Sequence, residues 1–358
     1  MQPEAKTTLI VTPRERFGVA VRSLRSIIDD TDSPFELIYV DGNSPRRVAD
    51  EIAAICQEQG FTLLRHEHFL SPNQARNIGL RQAQTDNVVF IDNDVIVSPG
   101  WLRRLEECAE EMGAEVVAPL TCQREPLHAE VHQAGGEVAA DLQQFFAGPA
   151  DQRRLIDRHV HQGDKVQEIA LTRSDIQACE FHCALVKRAV FDRIGELDEN
   201  LLATKEHLDF SLSVWATGGR VMMEPNSVVT YLFPAGANKL TREDWPFFTL
   251  RWSPAWVRAS LDHFRRKWQI EGDPYFTNRQ NTLLWRYQEG ITRPALKKLP
   301  IVSKQGRAQA VAMKLGNKAL DAWGTAMAQR HRRQFPAPLP RPAPQPVDIG
   351  ARQFPVHS

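Results

Sequence analysis

Apolar positions along this chain come first as short runs and then at helical spacing, and the two patterns alternate. Thr8–Thr12 (TLIVT) predicts a strand, and Phe17–Ile28 carries apolar residues at helical spacing. Phe35–Val40 (FELIYV) predicts a second strand, Val48–Gln59 an amphipathic helix stopped by Gly60, and Phe61–Arg65 a third strand. This β-α-β-α-β order argues for a parallel sheet with right-handed crossovers. Ser71–Ala83 predicts a helix with Ser71 as N-cap and Pro72 at its first position. It leads into Val88–Val95 (VVFIDNDV), a buried strand that runs straight into Asp92, Asn93 and Asp94.

Pro99–Met112 and Glu115–Leu120 continue as helix and strand. Periodicity then weakens from Gln123 to Ile169, as expected of a variable insertion lying over a functional site. Ile176–Phe191 predicts a strand and a helix start. Gly218 and Gly219 turn the chain into two apolar segments, Arg220–Glu224 and Val228–Phe233. From Asp244 the character changes: Trp245, Phe247, Phe248, Trp252, Trp256, Phe264 and Trp268 are interleaved with Arg251, Arg258, Arg265, Arg266 and Lys267. Stacking on sugar rings, nucleic-acid binding and a membrane-surface helix all use that mixture. The plainer expectation is a helical lobe docked on the sheet with its aromatic rings as core. Arg307–Arg333 predicts a further helix, and the proline-rich stretch after it predicts an extended, disordered tail.

Composition narrows the classes. The 358 residues are 42% hydrophobic and 25% charged, enough for a full core. Lys+Arg and Asp+Glu are equal at 44 each, so no global field draws in nucleic acid, and none is expected as a partner. The five cysteines, Cys56, Cys108, Cys122, Cys179 and Cys183, contain no CxxC and are odd in number, which argues against a disulfide framework. Cys179, His182 and Cys183 suggest zinc, but no second half-site follows, so buried strand cysteines are the simpler reading. His128, His132, His159 and His161 are expected to be scattered surface histidines rather than metal ligands. No run approaches 18 apolar residues, and MQPEAKTTLIV lacks a basic segment followed by a long apolar core. Neither a transmembrane helix nor a secretory signal is inferred. The expected place is the cytoplasm, with peripheral contact to the inner face of a membrane through the aromatic-basic region.

Candidate chemistry sits at strand ends. Asp92 and Asp94 stand at the carboxyl end of a strand, where open α/β sheets bind ligands. Hard oxygen ligands suit Mg²⁺ or Mn²⁺ carrying a diphosphate. The competing reading is a polar turn that caps the helix after Pro99. Asp41 occupies the same kind of position, and Arg76 and Asn77 lie near a helix start where phosphate binds well. Neither GxGxxG nor GxxxxGK[ST] occurs.

Asp41 at a strand end, the ARNIG helix (Ala75–Gly79) and the Asp92-Asn93-Asp94 strand end, in that order, resemble the nucleotide-sugar half of a GT-A fold, family 2-like glycosyltransferase. The resemblance spans about residues 7–235. It implies that Asp41 contacts the nucleotide base and that Asp92 and Asp94 form a DxD motif holding ribose and a divalent metal on the diphosphate. Arg76 and Asn77 would line the same pocket. On the acceptor side, Gly195, Asp198 and Glu199 match the family's turn, and Glu206 and Asp209 match the ends of its acidic motif. His207 occupies the position where many relatives place the Asp that acts as base. Glu206 and Asp209 lie three apart, on one helical face, so either is favoured over His207 as base. Tyr231 stands near where relatives often carry a metal-binding His, and the QxxRW element of processive relatives is absent.

The expectation is thus an α/β GT-A domain over 1–240, with its nucleotide-sugar half about 7–122 and its acceptor half about 170–240. A helical extension over 241–333 and a proline-rich tail over 334–358 complete the chain. The expected function is a single, metal-dependent (Mn²⁺ or Mg²⁺), inverting transfer of sugar from a nucleotide-sugar donor to a glycan or other hydroxyl-bearing acceptor. Two rivals remain: a sugar-phosphate nucleotidyltransferase, to which Arg14 and Arg16 in TPRERFG give faint support, and a non-catalytic carbohydrate-binding or assembly protein that has lost its base.

Overall fold

The computed structural model describes residues 5–233, 239–297, 306–336, 338–349 and 354. Chain order gives β1 (Thr7–Thr12), α1 (Ala20–Asp30), β2 (Phe35–Gly42), α2 (Arg46–Gln59), β3 (Thr62–His66), α3 (Pro72–Leu80) and β4 (Asn87–Asp92). Next come β5 (Val95–Val97), α4 (Trp101–Glu111), β6 (Val116–Gln123), β7 (Val131–Gln133), β8 (Gly136–Glu137), α5 (Leu142–Ala147), β9 (Arg158–His159) and β10 (Ser174–Asp175). They are followed by β11 (Cys183–Lys187), α6 (Val190–Ile194), α7 (Glu206–Ala216), β12 (Val221–Tyr231), α8 (Trp245–Arg251), α9 (Pro254–Lys267) and α10 (Pro274–Asn281).

The main sheet runs β10-β12-β6-β11-β4-β1-β2-β3. β1 is parallel to both β2 and β4, whereas β11 is antiparallel to both β4 and β6. Near-continuous apolar strands such as β1 and β4 are what a sheet buried on both faces demands. Alternate residues of β1 serve opposite faces: Ile10 joins Val40 and Phe90 in one core, and Leu9 and Val11 join Tyr39 and Val89 in the other.

Two expected strands have different bounds. The run Val88–Val95 is broken after Asp92, because Asn93 and Asp94 turn the chain and β5 pairs with β12 instead. The two segments after Gly219 are one strand, β12, with a register shift between Glu224 and Val228. The aromatic rings after Asp244 form core: Phe247, Phe248, Trp252, Trp256, Phe264 and Trp268 are all buried. The long helix Arg307–Gln334 packs on α8 and α9. Over residues 338–349 the proline-rich tail, expected to be extended and disordered, forms no helix or strand and is laid on the domain. The Val347 N–H donates to the Ala216 carbonyl at 2.9 Å, Arg341 donates to the Glu196 carbonyl at 3.0 Å, and Ile349 is buried. Proline leaves an extended backbone few alternative states, so few contacts suffice to hold it. Except for residue 354, the later tail lies outside the described residues. No helix among the described residues is long and apolar enough to cross a membrane.

Candidate active site

Parallel pairing brings the carboxyl ends of β1, β2 and β4 to one edge, carrying Thr12, Asp41 and Asp92. Just past β1, the Arg14 N–H donates to Asn93 Oδ1 at 3.1 Å, and Asn93 Nδ2 donates to the Arg16 carbonyl at 2.8 Å. Asn93 therefore clamps this loop against the end of β4. The clamp directs Arg14 Nη1 to within 3.3 Å of Asp92 Oδ2. From α3, Arg76 Nη2 donates to Asp92 Oδ1 at 3.1 Å while its guanidinium sits 4.2 Å from the Phe181 ring centroid. From just before β11, His182 Nδ1 lies 3.2 Å from Asp92 Oδ2.

The two carboxylates of this turn have opposite electrostatics. Burial works to raise the Asp92 carboxyl, but Arg14, His182 and Arg76 outweigh it and hold it at about 2. Burial and the adjacent Asp92 charge push Asp94 up to about 7. Both Asp94 oxygens are buried with no hydrogen-bond partner, and neither His182 ring nitrogen has an aligned one. Ligand atoms of Asp92, Asp94 and His182 lie within 4.8 Å of one another. Two hard oxygens and one imidazole suit a divalent ion such as Mn²⁺, and the orphaned Asp94 oxygens are what such an ion would satisfy.

Tyr231 offers no open ligand. Its hydroxyl donates to Glu15 at 2.7 Å, and its ring stacks on His182 at 4.1 Å between centroids. The imidazole that stands with the Asp92 and Asp94 carboxylates is therefore that of His182. Glu15 is held at about 2: burial opposes this, but Arg286, Arg14 and Arg251 prevail.

Behind His182, Glu180 gathers three imidazoles. Its carboxylate lies 2.9 Å from His182 Nε2, 3.0 Å from His132 Nε2 and 3.4 Å from His159 Nε2. His132 is buried and pushed down to about 4 by that burial. The expectation of scattered surface histidines thus fails for His132 and His159, since β7 and β9 fold inward on Glu180. His161, by contrast, pairs with Asp164 at 2.8 Å near the surface. All five cysteines are buried and free, and of the pair expected as buried strand cysteines Cys183 lies in β11 whereas Cys179 lies in no strand.

The remaining site candidates divide between the pocket and its supports. The Asp41 carboxylate accepts from the Ser44 N–H at 2.9 Å, from the Ser44 hydroxyl at 2.8 Å and from Arg65. Asn77 clips α3 to the loop before α7, donating to the Leu197 carbonyl at 2.9 Å and accepting the Leu197 N–H at 3.0 Å. Arg76 belongs to the Asp92 cluster. On α7, Glu206 Oε1 accepts from Arg251 at 3.1 Å, and Arg251 also donates to the Arg14 carbonyl at 2.8 Å, so Glu206 is tied to the Asp92 side. Its Oε2 is buried without a partner. Asp209, although on the same face, has both oxygens taken, by Trp268 at 2.8 Å and Lys267 at 2.8 Å. His207 is half-buried, and burial lowers its imidazole pKa against the pull of Glu180, Glu206 and Asp157. Lys205, before α7, takes a left-handed backbone at φ 73°, with its ammonium on Asp157 and 4.9 Å from the Tyr275 ring centroid.

Glu15 and Glu180 escaped the sequence reading, which weighed Arg14 only for a nucleotidyltransferase and His182 only for a zinc site with the neighbouring cysteines. The dense charge in TPRERFG directly after β1 was a usable signal, as was a His set just before the apolar stretch of β11.

A family model described as Glycosyl transferase family 2 matches residues 8–195. The chain is 24% identical over 286 residues to the uncharacterized protein y4gI of Sinorhizobium fredii, covering 77% of this chain and 29% of that protein. It is 33% identical over 103 residues to the succinoglycan biosynthesis protein ExoW of Rhizobium meliloti, covering 27% of this chain and 32% of ExoW. It therefore matches only about a third of the length of these curated relatives. Among solved structures, GalNAc-T7 with UDP, GalNAc and Mn²⁺ superposes with a TM-score of 0.52 at 16% identity, over 93% of this chain and 58% of that one.

Proposed function

The chain belongs to glycosyl transferase family 2 and has the GT-A fold, and from that premise we propose a metal-dependent, inverting transfer of one sugar from a nucleotide diphosphate sugar to an acceptor hydroxyl. The observation that carries this reading is Asp94: two buried, unpartnered carboxylate oxygens beside Asp92 and His182. A buried carboxylate without a partner is costly, and a bound cation removes that cost. Asp94, His182 and Asp92 would hold the divalent ion, which supplies charge stabilisation for the leaving diphosphate. That the solved neighbour carries UDP and Mn²⁺ supports the same reading.

The chain's own residues divide the rest. Arg14 and Arg76 place two positive charges against Asp92 at the strand edge, where a diphosphate would lie. Asp41 and its Ser44 and Arg65 partners form the rim suited to a nucleotide base. Glu206 is the proposed base, because its Oε2 is free while both Asp209 oxygens are engaged. The acceptor is a glycan or another hydroxyl-bearing molecule, approached beneath the insertion between β6 and β10.

Incubation with a panel of nucleotide sugars and Mn²⁺ tests the reading. We expect donor hydrolysis or transfer that disappears on chelation and in Asp94→Asn. Metal-dependent donor binding without any turnover would instead favour a binding protein, and pyrophosphate release from a nucleotide triphosphate would favour a nucleotidyltransferase.

A further inference from the structure

Gln123 fixes the tautomer of His132. Gln123 Nε2 donates to Glu130, which leaves Oε1 to accept from His132 Nδ1 at 3.2 Å. In the neutral ring the other nitrogen, Nε2, then carries a lone pair, and it faces Glu180 Oε2 at 3.0 Å. Two lone pairs at that distance repel unless a positive charge stands between them. His159 directs Nε2 at the other Glu180 oxygen, 3.4 Å away. Glu180 and His132 are buried, and the His159 side chain is 19% exposed.

We propose that His132, His159 and Glu180 form a second divalent-cation site of the zinc class, separate from the Asp92–Asp94 grip. Two imidazoles and one carboxylate are a zinc-type donor set, borderline rather than hard. Their ligand atoms already lie within 4.8 Å of one another. His182 joins the two sites: its Nδ1 lies 3.2 Å from Asp92 and its Nε2 2.9 Å from Glu180, so the ring packs between the two carboxylates. The three ligands come from β7, β9 and the residues just before β11, so the cation staples the insertion to the sheet beside the donor pocket. This inference stands on its own geometry, and its test reads no sugar transfer.

The test uses the untagged full chain, stripped of metal and titrated with Co²⁺ and then Zn²⁺. We expect a visible Co²⁺ absorption of tetrahedral type at one equivalent, abolished by Zn²⁺ and retained in Asp94→Asn. In His159→Gln, with the circular dichroism of the parent, Zn²⁺ affinity should fall about 100-fold. His159→Cys should keep the site and add a thiolate-to-cobalt band in the near ultraviolet. A folded parent that gives no such absorption would overturn the proposal. Absorption lost in Asp94→Asn but unchanged in both His159 variants would overturn it equally.

Discussion

His182 meets Asp92 twice: its carbonyl accepts the Asp92 N–H at 3.1 Å, and its Nδ1 lies 3.2 Å from Asp92 Oδ2. Main chain and side chain of one residue thus set both the position and the charge environment of the first carboxylate. Removing the imidazole leaves the backbone pairing of β4 and β11 in place. We therefore expect His182→Ala to fold and to weaken Mn²⁺-dependent nucleotide-sugar binding by about 10–100-fold. Calorimetric titration with and without Mn²⁺ checks this, and equal affinities for parent and variant would remove His182 from the cation site.

Arg76 is fully buried with its charge on Asp92 and its plane over Phe181. Truncating it takes one of two guanidinium partners from a buried carboxylate and leaves Arg14 on the other oxygen, a change that costs up to about 3–5 kcal/mol. We expect Arg76→Met to lower the urea midpoint sharply, and Arg76→Met combined with Asp92→Asn to recover part of that loss without restoring donor binding. A double variant no more stable than the single would show that the pair is not what holds the turn.

The ARNIG helix was legible for a packing reason. At Gly79 an added Cβ would come 2.3 Å from Ile10 Cγ2, so α3 lies directly on β1 and only glycine allows that approach. Gly79→Ala should destabilise the fold by about 1–3 kcal/mol, read by thermal or chemical unfolding. A neutral result would mean that α3 can shift away from β1.

Asp198 gives a pH signature. Burial would raise its carboxyl, but His263 at 2.8 Å and Lys267 at 3.0 Å hold it below the usual carboxylate range. A folded-state pKa below the unfolded one contributes stability that is present above the unfolded value. That stability is lost as pH falls from about 4 toward the folded value. Asp198→Asn should therefore be less stable than the parent at pH 7, and the gap should narrow below pH 4 in unfolding experiments. A gap that stays constant with pH would contradict the ion-pair account.

Local pattern carried the sheet and the Asp92–Asp94 turn, because a strand that ends in carboxylates is written in consecutive residues. It missed Glu180 and the place of His182 beside Asp92 because these come from antiparallel pairing between β11 and β4, strands separated by the whole insertion. It also set Glu206 and Asp209 side by side, and helical spacing does place them on one face. What separates them arrives from elsewhere: Arg251 on α8 takes one oxygen of Glu206, whereas Lys267 and Trp268 at the end of α9 take both oxygens of Asp209. The charged loop after β1 shows the same limit, since Arg14 finds Asp92 at the end of β4 and Glu15 finds Tyr231 of β12 only once the sheet is assembled.

That division makes the base testable by three variants compared together. Glu206→Gln keeps an oxygen for Arg251 and loses the carboxylate, so donor binding should persist while the rate of transfer falls at least about 100-fold, the scale of general-base assistance. Asp209→Asn should lower stability through the loss of its Lys267 ion pair, with transfer per folded molecule changed little. His207→Ala should leave transfer within a few-fold of the parent, because the Glu206 Oε2 remains available. Rates measured at saturating donor, alongside donor affinity and unfolding midpoints, separate the three roles. If His207→Ala alone abolishes transfer with donor binding intact, the imidazole is the base, and Glu206 serves to position Arg251 and the Arg14 loop.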